Sequence, residues 1–130
     1  IGSWEILKKG HFNSISSCLN LVKKYKHKLI IDLYHSFADT RLESFLKNSP
    51  KLGLLQFSNI KFDNNLRPTG RLILNKQNNV NNVDISKYLK TVLSRKDRIN
   101  VEFEIFQSDM KETDPKLVIT NLKKEILELL

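Results

Sequence analysis

Asp32, Asp39 and Glu43 are the acids whose placement comes nearest to suggesting chemistry. Asp32 follows the apolar run Leu29-Ile30-Ile31, and metal-dependent nucleases gather carboxylates at strand ends to hold Mg²⁺. Such a centre needs several convergent carboxylates, and positions 32, 39 and 43 have no ligand spacing of their own. Thr40 and Glu43 instead have the spacing of a helix capping box, and Asp39 sits beside the same helix start. Asp63, Asp84 and Asp97 fall in loops or at helix starts. Acids so placed are expected to be structural, which leaves a metal-dependent nuclease-like domain as the last of three functional alternatives.

The other reactive side chains are equally dispersed. His11, His27 and His35 have no His or Cys four residues away, so no zinc site is expected. His35 and Ser36 are adjacent, and in a continuing strand they would point to opposite faces, the wrong geometry for a base and its nucleophile. Cys18 shares a helical stripe with Ile15 and Val22 and reads as a small buried hydrophobe. One cysteine excludes an internal disulfide and favours a reducing setting inside the cell, nuclear or cytoplasmic. Gly2, Gly10, Gly53 and Gly70 are isolated, so there is no phosphate-binding glycine loop. No catalytic residue, metal or cofactor is expected.

Charge is the stronger signal. The chain carries a net +8 over 130 residues. Residues 51–98 hold ten basic and three acidic side chains, a net of +7, whereas residues 99–130 hold four and seven, a net of −3. Lys23, Lys24, Lys26 and Lys28 cluster at the end of one expected helix, and Lys90, Arg95, Lys96 and Arg98 at the end of another. Arg67 and Arg71 flank the turn at Pro68. Lysines at a helix C-terminus are favoured by the helix dipole whatever the function. If the clusters share a face, they can neutralise phosphates, with affinity that falls steeply with salt. Spacing alone does not show that they do.

The elements that must position these residues follow from periodicity. Asn13 or Ser14 can cap a helix whose apolar face is Ile15, Cys18, Leu19 and Val22. A strand is expected over residues 29–34, a helix with Leu42, Phe45 and Leu46 inward, and a long β-prone stretch over residues 52–62 that bends near Ser58-Asn59. A strand at Arg71-Leu72-Ile73-Leu74 returns from it as a hairpin. After the Asn-rich connector 78–82, Asp84 caps a helix with Ile85, Tyr88, Leu89 and Val92 inward. Residues 99–106 alternate as a strand, with Val101, Phe103 and Ile105 on one face and Glu102 and Glu104 on the other. Asp114-Pro115 then opens a helix with Val118, Ile119, Leu122, Ile126, Leu129 and Leu130 as its buried stripe.

From residue 29 the order is β-α-β-β-α-β, which predicts a ferredoxin-like α+β sandwich with an extra N-terminal helix and a C-terminal helix. Over residues 29–106 this order resembles the RNA recognition motif, which implies bases stacked on aromatics of two central strands. The third-strand segment Thr69-Gly70-Arg71-Leu72-Ile73-Leu74 keeps a glycine beside an arginine but lacks both aromatics. The first offers only Tyr34, and Glu102 and Glu104 would repel phosphate.

The length suits one domain over residues 1–130. A chain that opens on Ile1 and stays helix-like to Leu130 is expected to be a fragment of a longer protein. Apolar runs are too short to span a bilayer. Leu117 and Leu127 lie off the last helix's stripe and, with Trp4 and Phe12, are candidate partner-binding residues. The expected function is therefore a non-catalytic protein-interaction or assembly domain of a larger intracellular complex, with the remainder of a longer chain or another protein as partner. Direct RNA or DNA binding by a basic surface, weak and salt-sensitive, is the alternative.

Overall fold

The computed structural model describes residues 3–5, 13–65, 67–72, 84–104 and 114–129. The first helix, α1 (Ile15–Lys24), starts where a capping box forms. The Ser14 hydroxyl accepts from the Ser17 N–H, and the Ser17 hydroxyl accepts from the Ser14 N–H. Ile15, Cys18 and Val22 are buried at the expected helical spacing. The helix stops at Tyr25, and Lys26 takes a φ of 55°, the left-handed turn that commonly ends a helix.

The chain then enters β2 (Lys28–Asp32), with Leu29 and Ile31 buried. This strand ends two residues earlier than its apolar run suggests. The Asp32 carboxylate accepts from the Tyr34 N–H and starts the single turn α2 (Leu33–Ser36). In α3 (Leu42–Asn48), Leu42, Phe45 and Leu46 face inward as the pattern requires. Its cap differs from the sequence expectation. Thr40 and Glu43 form no box; the Asp39 carboxylate accepts from the backbone N–H groups of Arg41 and Ile15 instead, tying α3 to α1.

Strand β3 (Leu52–Phe57) and strand β4 (Asn59–Phe62) break at Ser58, where the alternation changes. β4 pairs antiparallel with β5 (Pro68–Leu72), a hairpin as expected, but β5 begins at Pro68, so Pro68-Thr69-Gly70 is paired strand and not the turn its residue types suggest. Asp84 caps α4 (Ile85–Leu93), which buries Ile85, Leu89 and Val92. β6 (Asn100–Phe103) keeps Glu102 exposed. Leu122 and Ile126 of α5 (Pro115–Leu129) pack against the core, and Val118 is buried. Ile119 is 53 % exposed, so the inward stripe of α5 is narrower than its apolar pattern. Ile73, Leu74, the 78–82 connector, Ile105, Phe106 and Leu130 lie outside the described residues, as does the side chain of Leu129.

Strand pairing corrects the fold expectation. A short strand β1 (Ser3–Glu5) pairs with β2, β2 with β3 and β3 with β6, all parallel, in the order β1-β2-β3-β6. A ferredoxin-like sheet is built on antiparallel neighbours, so this mixed α/β chain does not adopt that order, and the likeness to the RNA recognition motif goes with it. The physical reason is the break at Ser58. It takes the 59–72 hairpin out of the main sheet and leaves β3 free to pair with β6. α3 and α4 are in contact, and α1 and α3 flank a shared groove.

Between the Leu29–Leu52 and Ile30–Leu54 pairs the register shifts, so Gly53 is the extra residue of a bulge. A Cβ at Gly53 would lie 2.9 Å from the Lys28 Cβ. Gly53→Val should therefore lower stability by about 1–3 kcal/mol in urea unfolding, although valine favours strands. An unchanged midpoint would contradict the bulge.

Candidate nucleic-acid interface

In this topology α1 ends just before β2, α3 just before β3 and α4 just before β6. The three strands are parallel, so these junctions meet at one edge of the sheet, the edge of the strand N-termini. Lys23 and Lys24 lie in the last turn of α1 and Lys47 in that of α3. Lys26 and Lys28 bridge into β2, Lys51 precedes β3, and Lys96 and Arg98 precede β6. All eight are exposed except Lys51, which is partly so. Neighbouring strands are about 4.8 Å apart, so the starts of β2, β3 and β6 span roughly 10 Å.

Asp97 is the acid in this stretch, and it is already engaged. Its carboxylate accepts two hydrogen bonds from the Arg95 guanidinium, at 2.8 and 2.6 Å. Hydrogen bonding to Arg95 holds the Asp97 carboxyl below its usual range, and the charge of Lys28 adds to this. Lys47 from the end of α3 and Lys96 from the lead-in of β6 line one shallow depression with Arg95 and Asp97, so these two junctions are neighbours.

Of the ten cations expected to contact nucleic acid, six stand at this edge: Lys23, Lys24, Lys26, Lys28, Lys96 and Arg98. Lys90 is exposed in the last turn of α4, which runs toward it. Arg95 is placed differently. Its side chain is 5 % exposed and donates to the Leu46 and Ser49 carbonyls as well as to Asp97, so it fastens α3 to α4. Arg67 is exposed beside the hairpin turn, and Arg71 is 5 % exposed; neither joins the cluster. Lys47 and Lys51 complete it without having been singled out. They flank Ser49-Pro50, and only knowledge of the parallel topology would have placed them with the others.

At the opposite edge the hairpin meets the main sheet. At the C-terminal end of β2, Asp32 is fully buried and forms an ion pair with the Arg71 guanidinium from β5. The same guanidinium lies 3.1 Å from a Glu104 carboxylate oxygen at the end of β6 and 4.4 Å from the centre of the Tyr34 ring. His35 Nε2 is 3.6 Å from Asp32, the Tyr34 hydroxyl donates to the Pro68 carbonyl, and Phe37 packs edge-on against Phe62. The hairpin is thus fastened over the strand ends, where open α/β sheets usually bind ligands. The hydroxyls of Ser36 and Ser58 and the Nδ1 of His35 are buried at this end without a hydrogen-bond partner among the described residues.

The three acids considered for metal binding do not converge. Asp32 is neutralised by Arg71, Asp39 caps backbone N–H groups, and Glu43 pairs with Lys87 at 2.5 Å. Among the described residues no group of three or more metal-ligating side chains comes together, and no helix is long and apolar enough to cross a membrane. Of the partner-binding candidates, Leu117 is 53 % and Leu127 74 % exposed on α5. Trp4 lies in β1, but its side chain, like all of Phe12, is outside the described residues. Comparisons of the chain with protein-family models, curated proteins and solved structures give no match.

Arg71→Met leaves Asp32 buried without its guanidinium partner, facing only His35 and the Tyr34 N–H. It should cost about 3–5 kcal/mol in urea unfolding, and adding Asp32→Asn should recover part of that loss. A single variant within about 1 kcal/mol of the parent would show that the pair does not hold the hairpin down.

Proposed function

We propose that this chain is a non-catalytic interaction domain that docks on the phosphate backbone of nucleic acid through the basic edge of its parallel sheet. The gathering of Lys23, Lys24, Lys26, Lys28, Lys47, Lys51, Lys96 and Arg98 along one edge carries this reading. Phosphate contacts by exposed lysines fix position but read no base sequence, so the domain is a sequence-blind anchor, suited to a place inside a larger nuclear or cytoplasmic assembly. At the opposite edge, where open α/β sheets usually bind ligands, the Asp32–Arg71 pair is engaged in holding the hairpin to the sheet.

Each phosphate contact contributes roughly −0.7 to −0.9 to the slope of log affinity against log salt. Fluorescence anisotropy with a short labelled oligonucleotide should give a slope of roughly −3 to −5, equivalent to about four to six contacts. The triple variant Lys28→Glu, Lys96→Glu, Arg98→Glu should weaken binding by about 100-fold or more and flatten the slope. A matched variant, Lys61→Glu, Arg67→Glu, Lys123→Glu, changes net charge equally at exposed positions that are not among the eight cations of the edge. At 0.15 M salt the screening length is about 8 Å, so this control should bind within about fivefold of the parent. Equal losses in the two variants would reduce the interaction to net charge and remove the edge as the interface.

A further inference from the structure

Beside the basic edge, the surfaces of α1 and α3 leave a groove of about 510 Å³. Leu19 from α1 and Pro50 after α3, with the aliphatic stems of the lining cations, offer its accessible apolar surface, while Ile15 and Phe45 lie almost fully buried behind them. Lys23, Arg41 and Lys51 also line it, and no acidic residue does. Among the described residues none of these three cations makes an ion pair. An apolar floor within a cationic rim is an amphipathic site with the polarity of its ligand written in reverse.

We propose that this groove docks a short amphipathic acidic segment of a partner protein, with aliphatic side chains on the floor and flanking carboxylates on Lys23, Arg41 and Lys51. The volume falls within the roughly 300–1,000 Å³ of ordinary ligand pockets, and an apolar helix face laid into a groove is a recurrent mode of peptide recognition. A nucleobase fits the floor less well. Bases bind single-stranded sites by stacking on aromatic faces, and the one ring here, Phe45, is 5 % exposed. A small free anion would leave the apolar floor uncovered. The groove overlaps the proposed nucleic-acid edge at Lys23 and Lys51 and is distinguished from it by its apolar floor and by Ser44 and Asn48.

The probe is a labelled peptide of about 15 residues with Leu at i, i+3, i+4 and i+7 and Glu at most other positions, titrated with the full chain at 0.15 M salt. Two control peptides replace Glu by Lys or Leu by Ser. Ser44, an exposed groove residue on α3 that carries no charge, is changed to Trp to fill the groove. Asn48→Trp does the same from the next turn, and thermal melts check that both variants fold. The parent peptide should bind the natural chain at least about tenfold more tightly than either control peptide does. Both Trp variants should lose about tenfold or more for it while keeping their affinity for an oligonucleotide. The proposal is overturned if the peptide does not bind, if the Leu-to-Ser peptide binds as well, or if the Trp variants bind the peptide unchanged. Loss of oligonucleotide binding in the Trp variants would give the groove to nucleic acid and overturn it equally. Failure of the edge variants with success of the groove variants, or the reverse, separates the two readings.

Discussion

In a parallel sheet built from crossovers, every helix must end at the edge where the next strand begins. Helix C-termini favour cations, because the last carbonyls are left unpaired and the dipole is negative there. Lysines that are locally sensible at the ends of α1, α3 and α4 therefore accumulate on one edge. No single element is unusually basic in its own terms. The edge is basic because topology superimposes three ordinary junctions, and any functional reading of the surface depends on that constraint.

The other edge is governed by the Asp32–Arg71 pair. Asp32 is committed twice, to the N–H that starts α2 and to a guanidinium delivered by the hairpin. Burying both charges is expensive unless they meet with good geometry and further partners; here Glu104, the Tyr34 ring and His35 supply those. The pair links the hairpin to the end of β2. Among the described residues the two ends are unlike: one carries the buried Asp32–Arg71 pair, the other a row of exposed cations.

Much of the element order was legible in the sequence, because it rests on local rules. The stripe of Ile15, Cys18 and Val22, the inward set of α4 and the Asp84 cap all follow from 3.6-residue periodicity and side-chain capping. The bend at Ser58 was legible from the change in alternation. Strand pairing was not, because the same β-α-β-β-α-β string serves parallel and antiparallel sheets once a hairpin can leave the main sheet. Arg71 illustrates the cost. Beside a turn it reads as a surface cation, yet its partner is 39 residues away. Arg95 likewise reads as one of a basic cluster but spends its donors on the Leu46 and Ser49 carbonyls of the preceding α3–β3 junction. Sequence placed the cations near one another along the chain; only the fold separates those that face solvent from those that hold it together.

The central claim is spatial, so lysine footprinting tests it most directly. The chain would be acetylated under limiting reagent with and without a bound oligonucleotide, and the modified lysines read by mass spectrometry. Lys23, Lys28, Lys51 and Lys96 should be protected together, while Lys61 on β4 and Lys87 on α4 react as before. Protection spread evenly over the surface, or centred on the β4–β5 hairpin, would contradict the account.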